Sequence, residues 1–446
     1  MKISLSDHFT YKKLIRAVLP SIIMMVFTSV YGIVDGIFVS NFAEDGAFAA
    51  VNLVMPIIMA IGCLGFMVGT GGSAIVAKTL GEGNKDLAHK IFTMMVIFTV
   101  ILGVAFSVIG ILLIKPLAVL LGATGNTLKY CVNYGTICFA GMTAYMLQCI
   151  FQNFCVVAEK AKFGLFISVM AGITNMVLDA VLVGIFNFGI IGAAIATVSS
   201  QIVGFIIPLI YFLSKKNNSI LRLTKSALQL KPIVNACVNG SSELMSNISS
   251  SVVNFCFNLQ LMKYVGEAGV EAYGVIMYAT FIYAAIYIGY SVGSAPLISY
   301  NYGAQNHFEL KNLYKKSILI MLVVGITLTL LSEVFAYPLS AIFVGYDKAL
   351  LNMTTNGMRI FCLSFIMMGI NIFGSAFFTA LNNGLISAVI AFVRTLVFQL
   401  IAVFTLPLIF NNPIDGIWFS VVVGEFASML LTVLFFITKR KKYKYA

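Results

Sequence analysis

Asn175 and Asp179 stand four residues apart in SVMAGITNMVLDAVLVGIF, a stretch that is otherwise almost wholly apolar. On a helix that spacing places both side chains on one face. A carboxylate with a neighbouring amide can take a proton or coordinate Na⁺ through oxygen ligands, so the two cations compete for the same atoms. Asp35, in VYGIVDGIFVS, is a second isolated carboxylate, and Gly32 and Gly36 around it permit close packing or local bending. Glu243 lies in NGSSELMSNISSSVVNF, a stretch so rich in Ser and Asn that one helical face should turn to an aqueous cavity or to other helices. Each has a plainer alternative: a helix-packing pair for Asn175 and Asp179, an outer-interface carboxylate for Asp35 and an inner-interface one for Glu243. Glu333, in TLTLLSEVFAYPL, suits a structural or interfacial role. Arg394 and Glu425 could pair across helices, although nothing local shows it.

Aromatics supply a second candidate set. The run YGVIMYATFIYAAIYIGYSV (273–292) places several tyrosines and Phe281 on one span. Repeated Tyr can line a cavity that accepts flat organic cations. Tyr283 and Tyr287 therefore join Glu243 as candidates for substrate contact or gating. Most of the 37 Phe and 21 Met residues suit lipid-facing or packing positions.

These groups are conspicuous because of the medium implied by the rest of the chain. Of 446 residues, 60% are hydrophobic and 10% charged, with a mean hydropathy of +0.99. A water-soluble globule cannot absorb that much apolar surface, whereas a polytopic α-helical membrane protein can. A signal peptide is not expected, because the first apolar run continues past the length of a signal core without a convincing cleavage site. Spans are expected from Leu14 to Val39 and over 49–74, 91–114, 132–156, 163–185 and 191–213. A second set falls at 235–260, 271–297, 317–343, 356–380, 387–409 and 416–437. The basic stretch 214–231 lies between the sets. The expected organisation is an N-terminal bundle over 1–214, a cytoplasmic linker over 215–231 and a C-terminal bundle with a basic tail over 232–446.

The charges test this count. With an intracellular N-terminus, 22 of the 28 lysines and arginines fall on inside segments and only Lys115, Lys129, Lys263 and Lys348 outside. That split places both termini in the cytoplasm. The net charge of +12 is thereby explained by orientation, and no nucleic-acid partner is expected. The eight cysteines include no Cys-x-x-Cys pair and only three histidines are present, which argues against disulfide scaffolding and structural zinc.

The halves look alike. Residues 50–84 overlay 272–306 at an offset of 222, matching Gly71 to Gly293 and Gly81 to Gly303. FNFGIIGAAIAT (186–197) overlays FNNPIDGIWFSV (410–421) at 224. Six spans separate corresponding elements, an even number, so the repeats run in the same sense. GTGGSA (69–74) lacks the Gly-Lys-Ser/Thr and the preceding strand of a phosphate loop. Active transport would therefore draw on an ion gradient.

The strings PSIIMMVFTSVYGIVDGIFV, GEGNKDLA, NMVLDAVLV, GIIGAAIATVSSQ and NGSSELMSN together resemble the multidrug and toxic compound extrusion (MATE) family, most closely its bacterial MepA-like branch, over about residues 10–440. The resemblance implies an all-α polytopic fold of twelve transmembrane helices, in two pseudo-symmetric six-helix bundles around a central cavity. It implies export of cationic amphipathic compounds and drugs in exchange for H⁺ or Na⁺, with no enzymatic chemistry and no cofactor beyond the coupling ion. The expected setting is the bacterial inner membrane, with lipid around a functional monomer. The family's first-lobe cation site would map to Asp35, Asn175, Asp179 and Thr197. Glu243 would match a second-lobe acid, but the companion aspartate of the tenth helix is missing, since 356–380 holds no acid and offers Asn371 instead. The rival readings are a flippase for lipid-linked or polysaccharide precursors, which would need fixed basic groups such as Arg359 and Arg394 inside the spans, and a non-transporting receptor or scaffold.

Overall fold

Long apolar runs leave the backbone one way to satisfy its polar groups in lipid, which is the helix. The computed structural model describes residues 3–42 and 47–446, among which every regular element is a helix. Lys2, counted above among the inside charges, lies outside the described residues. In chain order the helices are α1 (Tyr11–Phe42), α2 (Ala47–Gly81), α3 (Lys85–Leu120), α4 (Gly125–Ala140), α5 (Met142–Val157), α6 (Ala161–Leu178) and α7 (Gly189–Leu213). The second half runs through α8 (Leu230–Tyr264), α9 (Glu267–Gly303), α10 (His307–Val344), α11 (Lys348–Cys362), α12 (Phe365–Ala380), α13 (Gly384–Phe392), α14 (Phe398–Ile409) and α15 (Pro413–Tyr443).

Twelve crossings account for these segments. Among the described residues, nine stretches are long and apolar enough to span alone, and two bent pairs, α4–α5 at 50° and α11–α12 at 48°, make two more. The twelfth is α8, with 35 residues, whose Ser and Asn content lowers its hydropathy. The helices overrun the expected spans at both ends. α10 has 38 residues, about 57 Å at 1.5 Å per residue, well beyond a hydrocarbon layer of roughly 30 Å. The extra turns are capped by polar side chains: Asn84 accepts from the Leu87 amide and Asn306 from the Glu309 amide. Asn84 and Asn306 are partners under the 222 offset, so the duplication extends to the caps.

The bent pairs are the clearest departure from the expected spans, which had run unbroken through 132–156 and 356–380. A break frees backbone carbonyls, and side chains from other helices take them. Thr329 donates to the Cys362 carbonyl at 3.0 Å and Tyr287 to the Phe365 carbonyl at 2.8 Å.

The halves meet through α1, α2, α8 and α9. Here backbone approaches backbone. A Cβ on Gly240 would strike the Met67 carbonyl and one on Gly71 the Ala236 carbonyl; Gly81 and Gly303 likewise face the carbonyls of Tyr300 and Lys78. No larger residue fits such a crossing without separating the helices. Gly274 in α9, by contrast, has open space around it. Gly240→Ala should therefore destabilise the protein by about 1–3 kcal/mol. Gly274→Ala should be neutral or stabilising by up to about 1 kcal/mol. Thermal unfolding of both variants in one detergent measures the difference, and equal midpoints would contradict the seam.

Candidate ion and substrate site

In the first half, Asp179 sits at the point where α6 gives way to a π-helical stretch, Asp179–Ile185. The wider turn displaces side chains from α-helical register, a distortion often found at functional positions. Asn175, one turn earlier, faces the same way. Both are buried, with Asp179 fully so, and Asp35 on α1 is 8% exposed. Asp35 lies within interaction range of both Asp179 and Asn175. Even so, both carboxylate oxygens of Asp179, Oδ1 of Asp35, Oδ1 of Asn175 and Oγ1 of Thr197 are buried without a well-formed hydrogen bond.

That set is unusual in its chemistry. Ionised carboxylates only accept, and two of them side by side repel. Buried polar atoms are normally paired, so oxygens held this way suit a proton or a hard cation shared between them. Among the described residues no three His, Cys, Asp or Glu side chains converge as a metal cluster. An all-oxygen set of two carboxylates and an amide, as Asp35, Asp179 and Asn175 form, fits H⁺ or Na⁺ and not a soft transition metal. Thr197 on α7 lines a small cavity of about 30 Å³ with Cys138, Tyr145 and Gln201, and none of Asp35, Asn175 or Asp179 is on its wall. Tyr31, Tyr134 and Cys138 are close enough to feel the Asp35 charge. Sequence reasoning missed Tyr134 and Cys138, whose only signal was polar side chains recurring in an otherwise ordinary helix.

The second half treats its buried acid differently. Glu425 on α15 receives Arg394 Nε at 2.9 and 3.0 Å and Asn371 Nδ2 at 2.7 Å, and Thr432 donates to Asn371 Oδ1 at 3.1 Å. Arg394 is held on a second π-helical stretch, Val393–Val397. The pair that the sequence could only suggest is formed, and Asn371 serves it. Arg359 approaches Glu333 at 3.7 Å where both are substantially exposed.

Between the halves lies a cavity of about 360 Å³. Glu243, Ser246, Asn247 and Ser250 reach it from one face of α8, the i, i+3, i+4, i+7 set, while Thr70 and Asn153 come from the first half. Phe281 and Arg394 also contribute to its wall. The two candidate tyrosines sit away from this wall. Tyr287 is fully buried, closing the α11–α12 break with its hydroxyl, and Tyr283 packs edge-on against Phe365 with ring centroids 5.0 Å apart. Neither lines the cavity; a tyrosine needs a hydroxyl partner inside lipid, and here a neighbouring helix supplies it to Tyr287.

Two like halves, twelve crossings and a polar cavity at their junction define a duplicated multi-pass membrane transporter. A family model described as MatE matches residues 20–181 and 244–405, two blocks whose starts lie 224 residues apart, and the chain belongs to that family. It is 24% identical over 428 residues to the "Multidrug export protein MepA" of Staphylococcus saprophyticus, covering 95% of this chain and 94% of that one. It is 25% identical over 444 residues to the protein of the same description from Staphylococcus aureus strain NCTC 8325, with 95% and 94% covered. Among solved structures, the "Outward-facing conformation of a multidrug resistance MATE family transporter of the MOP superfamily" overlays with a TM-score of 0.93 at 22% identity, over 99% of this chain and 98% of that one. The "Crystal structure of MATE in the straight conformation" does so at 0.92 and 22%, with the same coverage. These likenesses establish the fold.

Removing one partner of the second-half ion pair leaves a buried charge. Arg394→Gln should lower stability by about 3–5 kcal/mol, while the double replacement Arg394→Met/Glu425→Leu should recover most of it. Thermal unfolding of the single and double variants checks this. A double variant as unstable as the single would contradict it.

Proposed function

We propose that the chain is a secondary active exporter of cationic amphipathic organic compounds, exchanging them for H⁺ or Na⁺ across a bacterial inner membrane. Within the family we place it nearest the MepA-like branch, with a cytoplasmic linker over 215–231 joining halves 1–214 and 232–446, both termini inside and a monomer as the working unit. One observation carries the coupling assignment. The first half holds buried carboxylate oxygens with no donor, whereas the second half saturates its carboxylate with Arg394 and Asn371. A cation can therefore bind reversibly around Asp35, Asn175, Asp179 and Thr197.

The cavity supplies the other binding event. Glu243 gives a negative charge among hydroxyls and amides, and Phe281 an aromatic surface, which together suit a hydrophobic cation. Exchange follows if the external ion and the substrate favour different arrangements of the two halves. An ion drives a conformational change only through a difference in affinity between the two states. Export by the staphylococcal relatives, as their names describe it, agrees with this reading. The flippase alternative loses ground because Arg394, on the cavity wall, is already paired with Glu425, and Arg359 stands exposed and off that wall. A receptor or scaffold gives no account of a polar cavity walled by both halves.

Asp179→Asn should abolish gradient-driven dye efflux from proteoliposomes, at least tenfold below wild type, while the protein still inserts and elutes as a single species. Imposing H⁺ and Na⁺ gradients separately identifies the coupling ion. Wild-type efflux from the variant would sink the assignment. Glu243→Gln should weaken transport of singly charged cations several-fold and leave less basic substrates closer to wild type. Uniform loss across substrates would remove Glu243 from substrate recognition.

A further inference from the structure

A second cavity of about 360 Å³ lies away from the central one, beneath the segment that precedes α1. Three independent pieces of chain enclose it besides that segment: the start of α1, the α5–α6 turn and α9. Arg16, Lys160 and Lys162 line it, and among the described residues none of the three enters an ion pair. Glu159, the acid on its wall, accepts hydrogen bonds from the Ser4 hydroxyl at 2.7 Å and the Leu5 amide at 2.9 Å, which tie the segment across the mouth. The same segment is fixed to the other half: His8 contacts Glu309 at 2.6 Å, and the Phe9 amide donates to Glu309 at 3.0 Å. The pocket is thus built by both halves, with α9 contributing Gly293 and Leu297.

Its walls have two characters. Arg16, Lys160 and Lys162 bring positive charge, and the start of α6, where Lys160 provides no side-chain cap, brings the positive end of an 18-residue helix to the same space. Apolar surface comes from Pro20, Phe163 and Leu297 on the same elements and on α9. Next along the chain, Ile15 and Leu19 on α1 and Phe166 on α6 are exposed, as lipid-facing residues are. An ion alone would use the charged groups only. A phosphate group carried on an acyl chain uses both.

We propose that this pocket binds the phosphate headgroup of an anionic phospholipid, drawn from the leaflet on the basic face of the protein. Arg16, Lys160 and Lys162 hold the phosphate and the apolar wall takes the first part of the chains. Because α1 and α6 belong to one half and α9 to the other, the bound lipid favours the arrangement in which these helices are together. The proposal does not depend on the transport reading.

Native mass spectrometry of the purified full-length chain, titrated with phosphatidylglycerol, phosphatidylcholine and inorganic phosphate, tests it. Phosphatidylglycerol should be retained at least fivefold more tightly than phosphatidylcholine, and millimolar phosphate should not displace it. R16Q/K160Q/K162Q should weaken that retention about tenfold or more, whereas K439Q/R440Q/K441Q in the C-terminal tail should leave it unchanged. Should the pocket triple fail to fold, the exposed single change Lys162→Glu should still weaken retention several-fold. Equal retention of both lipids, an undiminished signal in the folded pocket variant, or equal loss in the tail variant would overturn the site. Displacement by phosphate would identify a free-anion site and overturn the lipid assignment.

Discussion

A carboxylate inside the hydrocarbon layer must find a donor, a cation or a proton, and the fold turns on which of these each half provides. Glu425 finds donors within the protein. Its charge is answered by Arg394 and its remaining oxygen capacity by Asn371, so it has no need of a visiting ion. Asp35 and Asp179 find each other and Asn175, but no donor able to neutralise them. Such a pair is stable in a low dielectric only with something positive between its oxygens. The duplicated chain has thus made one half static in its electrostatics and left the other dependent on its surroundings.

Everything else positions this asymmetry. The π-helical stretch begins at Asp179 itself. The glycine crossings between α2 and α8 and between α2 and α9 bring the halves into backbone contact, so a small change there moves whole helices and not single side chains. Between these rigid parts lies the cavity, which holds Glu243 on one helical face of α8 and borrows Thr70 and Asn153 from the opposite half. A molecule bound in that cavity touches both halves, as a transported molecule must if its binding is to be felt by both.

Much of this was legible in the residues. Apolar run lengths and the distribution of lysine and arginine gave twelve spans, and the Ser and Asn spacing along 242–250 marked the face of α8 that meets the cavity. The four-residue spacing of Asn175 and Asp179 put them on one face because that is a property of the helix alone. What stayed hidden depends on which helices meet. The α4–α5 and α11–α12 breaks carry no proline, and the second is met by side chains far away in sequence, Thr329 and Tyr287. Tyr287 stood among the cavity candidates because repeated Tyr suits an aromatic wall, and the chain does not name the Phe365 carbonyl that its hydroxyl meets. Arg394 and Glu425, 31 residues apart, gave no local sign of their bond. The hydrogen bonds that bind Ser4 to Glu159 and Phe9 to Glu309 bridge 155 and 300 positions, beyond any pattern in the chain.

The central claim is that the first half, and not the second, carries the exchangeable cation. Its most direct test is cation binding by purified protein without substrate, recorded as ²²Na⁺ uptake and as proton release on Na⁺ addition or base titration. The account predicts about one cation per chain, lost in Asp179→Asn and retained in Glu243→Gln. Undiminished binding in Asp179→Asn, or its loss in Glu243→Gln alone, would contradict it.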